Sequence, residues 1–491
     1  MIPIIIVPGF MGSFLMAQSD RTHLWPPSPL SPNTSLQRLK LESDGSQRQA
    51  DTAVASDVAR WQTVISGGYQ RTFDFFAQFG YVENTSIFGF PYDWRLDIRD
   101  TATALGATIQ TARARTASSR VILLGHSMGG LVAAQYCLGV ARSMADVERL
   151  FFLGAPMLGA PAALQQLRYA ISAPFLSWIG LVPTNADLQG IVGTWPAAYA
   201  LLPSRLFFNK NGGGFFKNGA DVIATADATY DAVASPDFSS ARAKTALDFH
   251  DALDAQRAQL RDASRMLLGS GSDTVKSIEE NGTRVSTKMT TQGDSTVLDL
   301  GLADYIGAPR VMSFNGVSHR DLGWDTTVLN AVLDDLRSQI PFGSEVNLRS
   351  PSKAQFLSGN AANQGAAVTL AAAPVLDERW IIQKASGGTG GSVNFSKDTV
   401  LLAAKTGGFL SQGPNNTLVI RSTADDTSKW RILKKDQKRS EEIVRSFDEV
   451  LICTEAGKRA SGDDQRHFLS SRLQVTKDNS NDTVWSLSQT R

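Results

Sequence analysis

Up to about residue 340, short continuous apolar runs alternate with longer amphipathic or alanine-rich stretches. Ile4-Ile5-Ile6-Val7 is a β-branched run stopped by Pro8-Gly9. Residues 86–90, 120–124 and 150–153 are further apolar runs, and residues 72–79, 97–116 and 128–141 have helical spacing between them. Uninterrupted apolar strands suit burial on both faces of a sheet, and strand–helix alternation predicts a largely parallel sheet covered by helices. The expected fold class is α/β.

From about residue 162 to 281 the alternation is lost. An apolar, aromatic stretch (Tyr169, Phe175, Trp178, Trp195, Tyr199), a turn at Gly212 to Gly214 and a long helix over residues 240–268 predict an insertion capping the sheet. Strand-like residues 284–289 and 310–314 and a helix over 326–338 follow, with Asp325 at its N-cap.

After Pro341 the pattern changes to short strands separated by Gly, Ser and Asn turns. Segments starting near Leu348, Leu401 and Val450 each end at a tryptophan: Trp380, Trp430 and Trp485. FLSGN at Phe356 and FLSQG at Phe409 hold like places in the first two segments. Three such units predict a β-trefoil, in which no unit buries its apolar face alone. The expected domains are therefore 1–342, with its cap, and an all-β 343–491.

Composition narrows the class. With 48 basic and 47 acidic residues the net charge is +1, so no basic surplus argues for nucleic acid. The 28 basic against 31 acidic residues before Glu345 become 20 against 16 from there on, a change that marks the domain boundary. Two cysteines, Cys137 and Cys453, exclude a disulfide scaffold and a Cys-rich metal site. No stretch reaches the roughly 18 apolar residues of a membrane span; the longest run, residues 170–183, reads as core or an interfacial lid. The first residues lack a signal peptide's basic start and cleavage site, so the expected location is cytoplasmic, or exported without a standard signal.

The candidate chemistry centres on Gly125-His126-Ser127-Met128-Gly129, a G-x-S-x-G pattern between an apolar strand and a helix. Gly125 and Gly129 permit the sharp turn that exposes a serine nucleophile, Ser127. Such a serine needs a histidine base and an acid to orient it, here in the order Ser, Asp, His. Of five histidines, His23 precedes the serine, His126 belongs to the turn, His250 lies in the cap and His467 in the repeats. His319, between a strand and a helix, remains. Asp294, in Gly293-Asp294-Ser295, is the expected acid, with Asp299 and Asp304 as fallbacks. The oxyanion donors are expected at the amides of Met128 and Phe10, with Gly9 and Met11 beside the latter. This chemistry calls for no metal and no organic cofactor.

Pro8-Gly9-Phe10-Met11-Gly12-Ser13, Pro91-Tyr92-Asp93-Trp94-Arg95-Leu96, the GHSMGG turn, Gly154-Ala155-Pro156 and Gly293-Asp294-Ser295-Thr296-Val297 together resemble the lecithin:cholesterol acyltransferase family of α/β-hydrolases over about residues 1–340. The resemblance implies an α/β-hydrolase fold and a Ser-Asp-His enzyme acting on lipid esters, with the acyl chain under the cap. It also implies structural roles for Tyr92 to Arg95. The repeats resemble β-trefoils of fascin-like type; Glu378, Ser428 and Thr483 replace the glutamines of ricin-type lectins.

The expected function is thus a lipase- or phospholipase-type serine esterase. Acyl transfer to an alcohol or lipid is one alternative. A binding protein that engages a glycan or protein through its trefoil, its hydrolase fold silent, is the other.

Overall fold

The computed structural model describes residues 2–336 apart from 27–35, 49–51, 61–67, 142–143, 170–184, 283, 301 and 307–310; beyond these it describes 345–350, 355–358, 369–371, 380–386, 399–404, 409–412, 418–424, 428–434, 449–454, 468–469, 475–476 and 484–489. The apolar run 170–183, with Phe175 and Trp178, and His467 lie outside the described residues. Two compact units emerge: residues 3–74 with 83–329, and residues 330–491 with 1–2 and 75–82.

The first unit is mixed α/β around a parallel sheet, as the alternation predicts. Ile4–Val7 (β1), Ile87–Gly89 (β2), Val121–His126 (β3), Val147–Leu153 (β4), Ser264–Ser270 (β5) and Val311–Asn315 (β6) pair in the order β6-β5-β4-β3-β1-β2. Every residue of β1 and β3 is buried, which is why both read as unbroken apolar runs. The helices include Tyr69–Ala77 (α1), Ile98–Thr116 (α2), Met128–Gln135 (α3), Ser240–Gln256 (α4) and Thr326–Leu336 (α5). In α2 the buried positions Ile98, Ala102, Leu105, Ile109 and Ala112 follow helical spacing, and Asp97 caps its first turn by accepting from Arg99 N. Asp325 does the same for α5, accepting from the Thr327 and Val328 amides at 2.8 and 3.2 Å.

The helix expected over 240–268 is shorter. It ends at Gln256, a 3₁₀ turn covers Arg257–Leu260, and the apolar Met266, Leu267 and Leu268 form the buried strand β5. No glycine or proline separates the two elements, and a strand buried on both faces has no period of its own to distinguish it from helix. The central sheet therefore resumes at 264, inside the range expected for the cap. The cap comprises two excursions from the sheet, 154–263 and 271–293. They share a four-stranded sheet of Phe216–Asn218, Asp221–Ile223, Thr274–Asn281 and Arg284–Thr290.

The second unit is antiparallel throughout its strand pairs. Glu345–Ser350, Trp380–Lys384, Thr399–Ala404, Lys429–Lys434, Glu449–Thr454 and Val484–Gln489 pair successively, and the last pairs back with the first. A hairpin springs from the first, third and fifth strand of this ring: Gln355–Ser358 with Thr369–Ala371, Phe409–Gln412 with Leu418–Arg421, and Phe468–Leu469 with Val475–Thr476. Trp380 and Trp430 are buried, and their indoles donate to Leu357 O and Leu410 O, the leucines of the two Phe-Leu-Ser repeats, at 2.9 Å each.

Candidate active site

From β1 the chain moves to β2, toward one edge of the sheet, whereas from β3 it moves to β4, toward the other. Their carboxyl ends part at a topological switch point, where open α/β sheets leave a crevice for ligands. Ser127 sits there, in the turn between β3 and α3. Its φ of 52° and ψ of −127° put a non-glycine residue in a strained conformation, of the kind proteins retain at functional sites. Gly125, next to last in β3, lies against Gly130, and Gly129 brings α3 close onto β1. Gly9 lies so near that a Cβ there would stand 2.9 Å from Ser127 Cβ; only glycine lets the turn after β1 approach the serine this closely.

Asp294 and His319 reach Ser127 from the other half of the sheet. The 271–293 excursion leaves the end of β5 and returns to it, with Ser272 bridging Asp294. His319 follows β6. His319 Nε2 is 2.8 Å from Ser127 Oγ, and its Nδ1 is 2.8 Å from Asp294 Oδ2. Asp294 Oδ1 accepts from the Thr296 and Val297 amides at 3.0 and 2.7 Å, and Asp294 O accepts from His319 N at 2.7 Å. Asp294 is 1% exposed and His319 7%. The residue opposite His319 Nδ1 is thus Asp294 and not Asp299; the Asp304 side chain lies outside the described residues. Gly154, with φ +62°, leaves room for this pair: a Cβ there would lie 3.2 Å from both Asp294 Oδ2 and His319 Nδ1.

Phe10 and Met11 form the turn after β1, closed by Gly12 N donating to Gly9 O at 2.9 Å, while Met128 begins α3. The Ser127 amide is engaged with Leu153 O at 2.9 Å. The 92–95 segment fastens the turn from behind. Tyr92 Oη donates to Pro8 O at 2.6 Å, and Trp94 Nε1 donates to Ser13 O at 3.0 Å. Asp93 and Arg95 form a buried two-pronged pair, and Arg95 Nη1 also donates to Leu39 O. The Phe10 ring packs against Trp94 and Trp195, with centroids 5.2 and 5.9 Å away. Trp195 and Tyr199 of the cap are 2% and 1% exposed, so both are core residues. Cys137 is a buried thiol whose pKa burial pushes up to about 12.

His126 is not merely part of the turn. Its Nδ1 lies 2.6 Å from Tyr69 Oη, and its Nε2 lies 2.9 Å from His319 O. Tyr69 Oη also accepts from Gly9 N at 3.0 Å. Burial, then the neighbouring His319, lowers the His126 pKa to about 4, so the ring is neutral at pH 7. Sequence reasoning missed Tyr69 altogether: it stands alone at the start of α1, in no motif.

Comparisons with known proteins bear on residues 56–296, which match the lecithin:cholesterol acyltransferase family. No curated protein matches the chain. Among solved structures, the Tle4–Tli4 complex is similar at 14% identity and a TM-score of 0.44, over 68% of this chain and 98% of that one. The SDF2-like protein from Arabidopsis thaliana is similar at 15% identity and a TM-score of 0.23, over 31% of this chain and 95% of that one. The family match spans the strands and turns that hold Ser127 and Asp294, so over these residues the chain is similar to the lecithin:cholesterol acyltransferase family.

Proposed function

We propose that the protein is a serine hydrolase of carboxylic esters of lipid-like substrates, working through Ser127, His319 and Asp294. His319 Nε2 takes the Ser127 proton as Oγ attacks the ester carbonyl. The Phe10 and Met128 amides receive the oxyanion. Asp294 holds His319 in the tautomer that leaves Nε2 free to accept, and stabilises the imidazolium that forms. His319 then protonates the leaving alcohol, and water resolves the acyl-enzyme. Gly9, Met11, Gly125, His126 and Gly129 shape the turns that carry these groups.

The observation that carries this reading is the continuous Ser127 Oγ–His319 Nε2 and His319 Nδ1–Asp294 Oδ2 contact, 2.8 Å at each step, at the switch point of the sheet. A fluorophosphonate is expected to label Ser127, and Ser127→Ala to lose both labelling and about 10⁴-fold or more of the esterase rate. An unreactive intact protein, or full activity in Ser127→Ala, overturns it. Whether water or an alcohol takes the acyl group is read from the products formed with and without an alcohol acceptor.

For the rest of the chain we read residues 1–342 as the catalytic domain and 343–491 as a β-trefoil. The ring of six paired strands with a hairpin on every second one supports that reading.

A further inference from the structure

The hydrogen bonds through Tyr69 and His126 have an assignable direction. A peptide N–H only donates and a carbonyl only accepts. Gly9 N therefore makes Tyr69 Oη its acceptor, and His319 O makes His126 Nε2 a donor. That leaves His126 Nδ1 with a bare lone pair, to which Tyr69 donates its own proton across 2.6 Å. The three bonds join two loops far apart in sequence, and Tyr69 and His126 are both buried.

The ends of this chain lie at the two working parts of the site. Gly9 precedes Phe10, and the His319 peptide is held on its other side by Asp294 O. We propose that Tyr69 is a positioning residue: with His126 it ties the peptide of the oxyanion turn to the peptide of the base, fixing the distance between them. The inference rests on the hydrolase reading above. Displacing reacting groups by about 1 Å costs on the order of a hundredfold in rate, so a tie at this place has kinetic weight. The groups facing His126 are Tyr69, His319, Asp294, Asp321 and the Trp324 ring. A neutral His126 keeps Nδ1 an acceptor; a second proton would face the Tyr69 O–H and break the tie.

Tyr69→Phe keeps the ring, which packs on His126 and Trp324, and deletes both bonds at the hydroxyl. Fluorophosphonate labelling of Ser127 and kcat on a p-nitrophenyl ester are expected to fall about 10–100-fold, with KM changed by less than about twofold. Tyr230→Phe removes a hydroxyl as deeply buried, which donates to Pro203 O in the cap, and is expected to leave both rates unchanged. His126→Gln, able to accept at one atom and donate at another, retains more activity than His126→Phe. Tyr69→Phe combined with His126→Phe is no slower than the slower single variant, because one chain is broken only once.

A Tyr69→Phe rate within about twofold of the parent, or a loss confined to KM, overturns the proposal, since the misplacement it predicts is at least tenfold. Histidine ¹⁵N NMR of the full chain reads the tie without any activity. His126 is expected as the Nε2–H tautomer at pH 7, with an Nδ1 resonance that moves in Tyr69→Phe; an Nδ1–H tautomer overturns the assignment. Failure of the parent protein to label at Ser127 overturns the hydrolase reading instead, so the two failures are distinct.

Discussion

Asp294 is constrained at both carboxylate oxygens, and this makes its replacement informative. Oδ1 takes the Thr296 and Val297 amides while Oδ2 takes His319 Nδ1. In Asp294→Asn the amide oxygen has to face the two peptide donors, which puts the side-chain NH₂ against His319 Nδ1. His319 then carries its proton on Nε2 and has no lone pair for the Ser127 proton. The expected result is a fall in kcat of about 10⁴-fold with little change in Tm, accompanied by the Nε2–H signal of His319 in histidine ¹⁵N spectra. An Asn variant within tenfold of the parent rate contradicts the role. The meeting of Ser127, Asp294 and His319 is legible in the sequence because the chain has few histidines and the serine lies in a strand–turn–helix with small residues on both sides. Tyr69 and Trp195 are not legible. Each reaches the turn after β1 from a distant segment, and neither spacing nor composition marks a tyrosine or tryptophan for that place.

Among the elements, α4 and β5 show where pattern reading fails. Leu253, Leu260, Met266, Leu267 and Leu268 make one apolar series along the sequence, yet a 3₁₀ turn divides it into a helix face and a doubly buried strand. One residue of α4 sits uneasily in this packing. Asp254 is 9% exposed, and neither carboxylate oxygen makes a hydrogen bond of normal geometry among the described residues. Burial pushes its pKa up to about 6, against the pull of the nearby Tyr305 hydroxyl and Arg257. A carboxyl raised above its ordinary 3.8 keeps its proton in the folded state while the unfolded chain has lost it. Its contribution to stability is therefore lost as pH rises from about 4 through about 6. Asp254→Asn removes the ionisation. Its Tm is expected to exceed the parent's at pH 8 and the difference to close by pH 4. An advantage that is flat with pH, or grows toward acid, rules this account out.

Across the whole molecule, two compact units are built on opposite principles. The first gathers its site from the ends of parallel strands distant in sequence. The second repeats one local arrangement, with Trp380 and Trp430 50 residues apart in the sequence and bonded to equivalent carbonyls. Closing the ring from last strand to first leaves none of its six strands with an open edge, so no repeat has a complete core or a complete ladder without the others. Removing one core tryptophan should then weaken the ring as a unit. Trp430→Ala deletes a fully buried indole and its hydrogen bond, a change that costs about 3–5 kcal/mol in a packed core. That is a large share of the ~5–15 kcal/mol that stabilises a typical domain. Calorimetry of the full chain is expected to resolve two transitions, with Trp430→Ala lowering only one of them. Between the lowered transition and the unshifted one, fluorophosphonate should still label Ser127 at the parent rate. If both transitions move together, or labelling is lost with the first, the units do not unfold independently and the catalytic fold depends on the ring.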